Sequence, residues 1–398
     1  MTEATAVLNN PSILVPVDST PRTRLVFGPG TLGRLGELVL ECGGSRIFLV
    51  SDPGVVAAGH APRAINILEQ AGLTVCLFDG ARENPTTADV RNGVQVAEGF
   101  QPDLIVGLGG GSSMDCAKGV NFLLTNGGRM QDYWGVDKAT KPMLPLVCVP
   151  TTSGTGSEMQ SFALISDEET HVKMACGDKK TAARVAVLDP ELTLTQPRSV
   201  TALTAVDALS HAVETFVSKR RNPVSQMYSR EAFRLLSSSI LRVFSEPGNL
   251  EARSEMHLGA SFAGLAIENS MLGAAHALAN PLTARFDTAH GQAVGLMLPH
   301  VVRFNSECCA AEYADLMECF GGDRQALQGD SPSEQLAHWL GQVMEAAGLH
   351  RALGPMELPW DDELIGDLSA AAAKQWTGTF NPRPVDSDSL ASIYRAAY

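Results

Sequence analysis

No apolar run in this 398-residue chain approaches the roughly 20 residues that a bilayer-spanning helix requires, so no membrane partner is expected. Basic residues are also in short supply: 30 lysines and arginines stand against 44 aspartates and glutamates, a formal net charge of −14. A nucleic acid needs a basic face to displace its counterions, so this balance argues against one as partner. The opening residues, Met1-Thr-Glu-Ala-Thr-Ala-Val-Leu-Asn-Asn10, lack a basic stretch followed by an apolar one, and the expected location is therefore cytoplasmic. Eight cysteines, at 42, 76, 116, 148, 176, 308, 309 and 319, show no zinc-finger spacing and lie mostly in apolar stretches, the pattern of reduced, partly buried thiols. Internal repeats and low-complexity tracts are missing, and the first twenty residues read as an extended arm. The loop around Ser153 lacks the G-x-S-x-G elbow, so nothing points to a nucleophilic serine.

What is present is enough for two domains, since 398 residues with 44% hydrophobic content allow each to bury its own core. Short β-branched runs, Arg46-Ile-Phe-Leu-Val50, Thr74-Val-Cys-Leu-Phe78, Asp103-Leu-Ile-Val106, Leu146-Val-Cys-Val149 and Val185-Ala-Val-Leu188, alternate with helical periodicity such as Ala61 to Gln70. That alternation marks βαβ units and a largely parallel sheet. From Ser199 onward the strand-like runs disappear and helical spacing takes over, as in Ala202 to Ser218 and Ser229 to Val243. The expected fold is α/β plus all-α: a parallel-sheet dinucleotide-binding domain over 1–199, then a helical metal- and substrate-binding domain over 200–398, with Gln196-Pro-Arg-Ser199 as the junction.

Two kinds of motif carry chemistry. Asp207-Ala-Leu-Ser-His211 puts a carboxylate and an imidazole four residues apart, on one face of a helix. Two further imidazoles follow in Gly273-Ala-Ala-His276 and Thr288-Ala-His290-Gly291. One carboxylate with three neutral imidazoles suits iron(II) or zinc and leaves a coordination position open to a substrate oxygen. Upstream, Leu104-Ile-Val-Gly-Leu-Gly109-Gly110-Gly111-Ser112-Ser113 runs an apolar strand into consecutive glycines and a helical pattern. Such a turn lets backbone N–H groups approach a pyrophosphate, although it is not the usual G-x-G-x-x-G fingerprint. A second strand ends in Pro150-Thr151-Thr152-Ser-Gly-Thr155-Gly-Ser-Glu158, another loop rich in hydroxyls. The histidines at 60, 171, 257, 338 and 350 read as structural. Asp52, at the end of a strand-like run, can accept hydrogen bonds from an adenosine ribose and repel a 2′-phosphate, favouring NAD over NADP; Ser51-Asp-Pro-Gly54 also reads as a turn.

At these residues the chain resembles the iron-containing (group III) alcohol dehydrogenase family. The resemblance spans nearly its whole length, through Phe27-Gly-Pro-Gly30, Glu83-Asn84-Pro-Thr86, Gly109-Gly-Gly-Ser112 with Asp115 and Lys118, Pro150 to Glu158, Asp207 to Glu214, His276 to Leu282, His290-Gly291, Leu298-Pro-His300 and Asn381-Pro-Arg383. It implies that Asp207, His211, His276 and His290 hold the metal, and that Asn84, Gly110, Gly111, Ser112, Ser113, Thr151, Thr152 and Thr155 touch the dinucleotide. Lys173 matches a family lysine near the nicotinamide end. The implied reaction is hydride transfer between NAD(H) and a small alcohol or aldehyde, with the metal acting on the substrate oxygen. Dimers or larger homo-oligomers are implied as well, and the segment Thr23 to Phe27 is a candidate strand for such association.

Two departures from the family's pattern stand out. Asn280 stands where many members carry a second histidine credited with relaying the substrate proton, and asparagine cannot titrate near neutrality. Ile267 and Glu268 stand where an aromatic and a small residue are frequent, which points to an altered pocket and a small polar substrate. Three alternatives stay open: a hydroxyacid–oxoacid transhydrogenase with retained NAD, a lyase of dehydroquinate synthase-like architecture, and a catalytically silent homologue. Basic residues that would hold a phosphate and a carboxylate for the lyase are sparse near the ligand motifs.

Overall fold

The computed structural model describes residues 20–170, 172–356 and 360–398. The arm expected ahead of residue 20, and His171, lie outside the described residues. Nine strands form among the described residues: β1 (Arg24–Phe27), β2 (Arg46–Val50), β3 (Thr74–Phe78), β4 (Leu104–Gly109), β5 (Gly135–Val136), β6 (Leu146–Pro150), β7 (Phe162–Ser166), β8 (Lys173–Gly177) and β9 (Val185–Leu188). Six of them make an all-parallel sheet in the order β1-β9-β6-β4-β2-β3. The helices between them are α1 (Leu35–Glu41), α2 (Pro53–Ala57), α3 (His60–Gln70), α4 (Thr87–Phe100) and α5 (Gly111–Asn126).

A parallel sheet covered on both faces demands strands that are apolar at successive positions. Accordingly β4, β6 and β9 are buried at every residue. The pleat then sorts the side chains: Phe48, Val50, Ile105 and Cys148 join one core, while Ile47, Leu49, Leu104, Val147 and Val149 join the other. Local signals set the helix starts. Thr86 and Asp89 close a reciprocal capping box on α4, and Asp52 accepts from Val55 N at the head of α2.

The smaller sheet, in the order β5-β8-β7, pairs β7 with β8 antiparallel and β5 with β8 parallel. Its strands were not foreseen from the sequence. Asp167 lies between β7 and β8 and accepts from Glu169 N, Thr170 N and Thr170 Oγ1. Led by the Thr170 backbone bond, these contacts hold the Asp167 carboxyl down at about 2.

The helices that follow are α6 (Arg198–Val217), α7 (Pro223–Ser245), α8 (Leu250–Asn269), α9 (Ala274–Phe286), α10 (His290–Glu318), α11 (Pro332–Ala346), α12 (Asp362–Ala372) and α13 (Ser387–Ala397). Among the described residues no strand occurs after β9, as the periodicity from Ser199 onward requires. By contacts the chain forms two compact units. The sheet unit takes Pro21–Ala208 and Ser239–Gly264, and the helical unit takes Leu209–Ser238 and Leu265–Tyr398. Within the helical unit α10 packs on α9, α11 and α13, and α12 packs on α9 and α13. Among the described residues no helix is long and apolar enough to cross a membrane.

Candidate cofactor turn and metal centre

In the sheet unit the strand end of β4 meets the start of α5 in a turn whose first and third glycines leave no room for a Cβ. Gly109 has φ +149°, and a Cβ there would stand 2.5 Å from Ser113 Oγ and 3.0 Å from Asp52 Oδ2. At Gly111 a Cβ would stand 2.6 Å from Thr155 Oγ1, and at Gly110 it would stand 3.4 Å from Thr152 Cγ2. The same close approaches therefore gather Asp52, Ser113, Thr152 and Thr155 around the turn. Thr151 N donates to Gly109 O at 2.9 Å, tying the hydroxyl-rich loop after β6 to the glycine strand. The first amides of a sixteen-residue helix then face the turn, the arrangement that receives a phosphate.

Asp52 has two duties already. Its Oδ1 caps α2 through Val55 N at 3.0 Å, and its Oδ2 accepts from Ser113 Oγ at 2.8 Å. Each carboxylate oxygen has a second lone pair, so a ribose hydroxyl can still be received. The reading of Ser51 to Gly54 as a turn and the reading of Asp52 as a ribose acceptor are thus compatible. Asn84, in the left-handed region at φ +51°, donates its N–H to Ser112 Oγ at 3.3 Å and accepts Lys173 Nζ on Oδ1 at 3.1 Å. Although the Lys173 side chain reaches the surface, its ammonium is crowded by protein, and this desolvation lowers its pKa. Asp115, Asp207 and Glu83 act in the opposite direction, which places Asp207 within electrostatic reach of Lys173.

Asp115 and Lys118 prove to be a clamp beneath the turn. Fully buried Lys118 donates to Ser157 O, Ser157 Oγ and Phe162 O at 2.7–2.8 Å, and Ser157 Oγ donates to Asp115 Oδ1 at 2.7 Å. The clamp ties the loop after β6 to α5. Cys116 beside it is buried, which pushes its thiol up to about 12 and leaves it inert as a nucleophile at neutral pH.

In the helical unit three imidazoles converge. The His211 and His276 rings stack with centroids 5.0 Å apart, and the His276 and His290 rings lie 5.4 Å apart. Helix α6 runs unbroken through residues 207–211, so Asp207 stands one turn ahead of His211 on the same stripe. Ligand atoms of Asp207, His276 and His290 all lie within 4.8 Å of one another. Asp207, His211 and His276 are buried, and His290, the first residue of α10, is half-buried. One carboxylate and three imidazoles, gathered and largely out of water, fit a borderline divalent cation.

Sequence reasoning gave Glu214 no role, yet this residue organises the cluster. His276 Nδ1–H donates to Glu214 Oε2 at 2.5 Å, and Ala275 N donates to Glu214 Oε1 at 2.7 Å. With Nδ1 committed, Nε2 is the ring nitrogen able to ligate, the way metal-binding imidazoles are commonly oriented. Gly273 permits the approach, since a Cβ there would stand 3.1 Å from Glu214 Oε1. The signal was present in the spacing, because 207, 211 and 214 are i, i+4 and i+7 of one helix face. Asn280, the departure noted above, donates Nδ2 to Gln375 Oε1 at 3.0 Å. His60 Nε2 meets Thr195 Oγ1 at 2.7 Å and His257 Nδ1 meets Ser153 Oγ at 3.1 Å, in keeping with structural roles.

A glycine turn shaped for a dinucleotide and a carboxylate–imidazole cluster shaped for a divalent metal define a metal-dependent nicotinamide dehydrogenase. Comparison with known proteins makes the assignment specific. Residues 21–190 match the iron-containing alcohol dehydrogenase family, and residues 201–398 match the C-terminal part of the same family. The chain is 33% identical over 374 residues to 1,3-propanediol dehydrogenase of Klebsiella pneumoniae, covering 94% of this chain and 96% of that protein. It is 36% identical over 377 residues to alcohol dehydrogenase 4 of Saccharomyces cerevisiae, covering 94% and 96%. Among solved structures, a 1,3-propanediol oxidoreductase superposes with a TM-score of 0.91 at 32% identity, covering 96% of this chain and all of that one. The sulfoacetaldehyde reductase of Bifidobacterium kashiwanohense in complex with NAD+ gives 0.85 at 26% identity, covering 96% and 99%. The chain belongs to the iron-containing alcohol dehydrogenase family. It is an oxidoreductase that moves a hydride between NAD(H) and an alcohol or aldehyde, with NAD as cofactor and iron as the family's metal.

The Glu214 contact has a measurable consequence. In Glu214→Gln the imidazole keeps an acceptor but loses the carboxylate, and outer-shell changes of this kind cost about 10–100-fold in metal affinity. Competition with a chelator should show iron or zinc released earlier from the variant than from the wild type. Equal retention would mean that Glu214 serves only the backbone at Ala275.

Proposed function

We propose that the substrate is a small polar alcohol, a primary alcohol or short diol and its aldehyde, and that residues 1–199 bind NAD while residues 200–398 bind metal and substrate. Asp207, His211, His276 and His290 hold the metal, and their convergence with Glu214 behind His276 is the observation that carries the reading. When bound, the divalent cation supplies Lewis acidity at the substrate oxygen. The backbone of Gly109, Gly110 and Gly111, with Ser112, Ser113, Thr151, Thr152 and Thr155, receives the pyrophosphate, and Asp52 receives the adenosine ribose. Lys173, held by Asn84 Oδ1, lies at the nicotinamide end and steadies charge there. Asn280 is occupied with Gln375 and cannot titrate, so the substrate proton leaves through water or a ribose hydroxyl.

The preference for a diol is supported by similarity to a 1,3-propanediol dehydrogenase along 94% of the chain. We further propose a cytoplasmic homodimer joined through β1, which lies at the end of the sheet order with an edge that no strand among the described residues covers. NADH formation by iron(II)-loaded protein, purified without oxygen, against short primary alcohols, 1,2- and 1,3-diols and hydroxyacids tests the proposal. Metal-dependent turnover with diols or short alcohols is the expected result. Turnover confined to hydroxyacids with no net NADH would replace it by transhydrogenation.

Cofactor choice has its own test. Asp52→Asn keeps an oxygen to cap α2 and removes the charge that repels a 2′-phosphate. The ratio of kcat/KM for NADP to that for NAD should rise by about tenfold or more, which is roughly 1.4 kcal/mol. An unchanged ratio would place ribose selection elsewhere.

A further inference from the structure

The sheet unit holds a second cavity, apart from the glycine turn and the ligand cluster. Its volume is about 400 Å³, and it is lined by the start of α6 (Arg198, Thr201), the segment before it (Leu194, Gln196) and the corner between α7 and α8 (Val243, Phe244, Pro247, Gly248, Arg253). Arg253 is 3% exposed. Its Nε donates to Pro247 O at 3.0 Å, and its Nη1 donates to Thr201 Oγ1 at 3.1 Å and Gln196 Oε1 at 3.4 Å. These acceptors are all neutral. Among the described residues Arg253 has no carboxylate partner, and the acidic residues nearest in sequence, Glu251 and Glu255, pair instead with Arg242 at 2.8 and 3.6 Å.

A guanidinium taken out of water without a counter-charge is costly, and buried charges are ordinarily paired. Desolvation is the cause that lowers the Arg253 pKa, with no carboxylate acting against it. Nη2 carries no hydrogen bond among the described residues, and its planar fork suits a carboxylate or phosphate. Arg198, the first residue of α6, adds a second, exposed cation to the lining. Leu194, Val243, Phe244 and Pro247 give the wall an apolar side, and Gln196 and Thr201 add neutral polar groups. Apolar surface with a few placed polar groups is the usual make-up of a small-molecule site.

We propose that this cavity binds a small organic anion, a phosphate or carboxylate head carried on a short apolar body, with Arg253 supplying its counter-charge. The head lies against Arg253 with Arg198 beside it, and the body lies along Phe244, Val243 and Pro247. The ligand completes an ion pair that the chain itself leaves half built.

Calorimetric titration of the metal-loaded protein, with NAD present in excess so that the glycine turn is filled, uses phenyl phosphate and benzoate as probes. The wild type should bind at least one of them saturably, and the preferred probe identifies the head group. Two variants keep the test independent of folding. Arg253→Gln removes the cation but also disturbs the contact with Pro247 O. Gly248→Glu leaves Arg253 in place and brings an internal carboxylate to the cavity wall. A Cβ at Gly248 meets nothing within 4 Å, and the backbone there is outside the left-handed region, so the fold accommodates the change. Both variants should weaken the probe by at least about tenfold, with alcohol turnover by Gly248→Glu unchanged. Absence of saturable binding to the wild type, or binding undiminished in Gly248→Glu, would overturn the proposal.

Discussion

Replacing His276 by alanine is expected to abolish metal retention and turnover together while NAD still binds. The imidazole is central to the cluster, stacked on His211 at 5.0 Å and 5.4 Å from His290. Its removal takes away one of the four proposed donors and the residue through which Glu214 acts. Lewis-acid stabilisation by a metal is worth several kcal/mol, so its loss lowers kcat by roughly a thousandfold. Glu214 would lose a charge-assisted hydrogen bond while keeping Ala275 N, a destabilisation of about 1–3 kcal/mol that a melting curve registers. The glycine turn belongs to the sheet unit and contains none of these groups. Metal content by elemental analysis, NADH binding by fluorescence and turnover on one preparation separate the effects. Full iron content with normal turnover would remove His276 from the metal centre.

Gly109→Ala should produce the opposite pattern, with metal retained and NAD binding lost. The position combines a φ of +149°, where an L side chain is strained, with a Cβ that would stand 2.5 Å from Ser113 Oγ and 2.8 Å from Ser113 Cβ. Backbone strain of this kind costs on the order of 1–3 kcal/mol. Relief requires Ser113 to move, which withdraws the hydroxyl from Asp52 Oδ2 and shifts the first turn of α5. An NADH dissociation constant raised by at least about tenfold is expected, alongside unchanged metal content. Unaltered affinity would show that the dinucleotide does not approach the backbone at β4.

Much of this was readable from residue order. The five strand-like runs form β2, β3, β4, β6 and β9; in the sheet interior a strand buried on both faces must be apolar along its length and so announces itself, and β3, at the edge, keeps the same β-branched and aromatic run. The strands β7 and β8 did not announce themselves. Strand β7 alternates between buried and half-buried positions, β8 opens on the exposed Lys173, and the two pair with each other outside the main sheet. Their identity as strands follows from pairing across the chain rather than from local pattern. The ligand candidates were legible because Asp207 and His211 share a helical stripe and the other two histidines sit in distinctive small-residue settings. Glu214 shares that stripe, but its partner is 62 residues away, and no local rule names it.

The sequence by itself determined the parallel-sheet and helical halves, the glycine turn and the four candidate ligands, since periodicity and the steric freedom of glycine are properties of short segments. Tertiary structure decided which groups meet. It committed Asp52 to both α2 and Ser113, made Lys118 and Asp115 a clamp on the loop after β6, and turned His276 by way of Glu214. It also formed a cavity beside Arg253, which has no carboxylate partner among the described residues. Hydrogen bonds and charges act over a few ångströms of space whatever their separation along the chain, and only folding sets those distances.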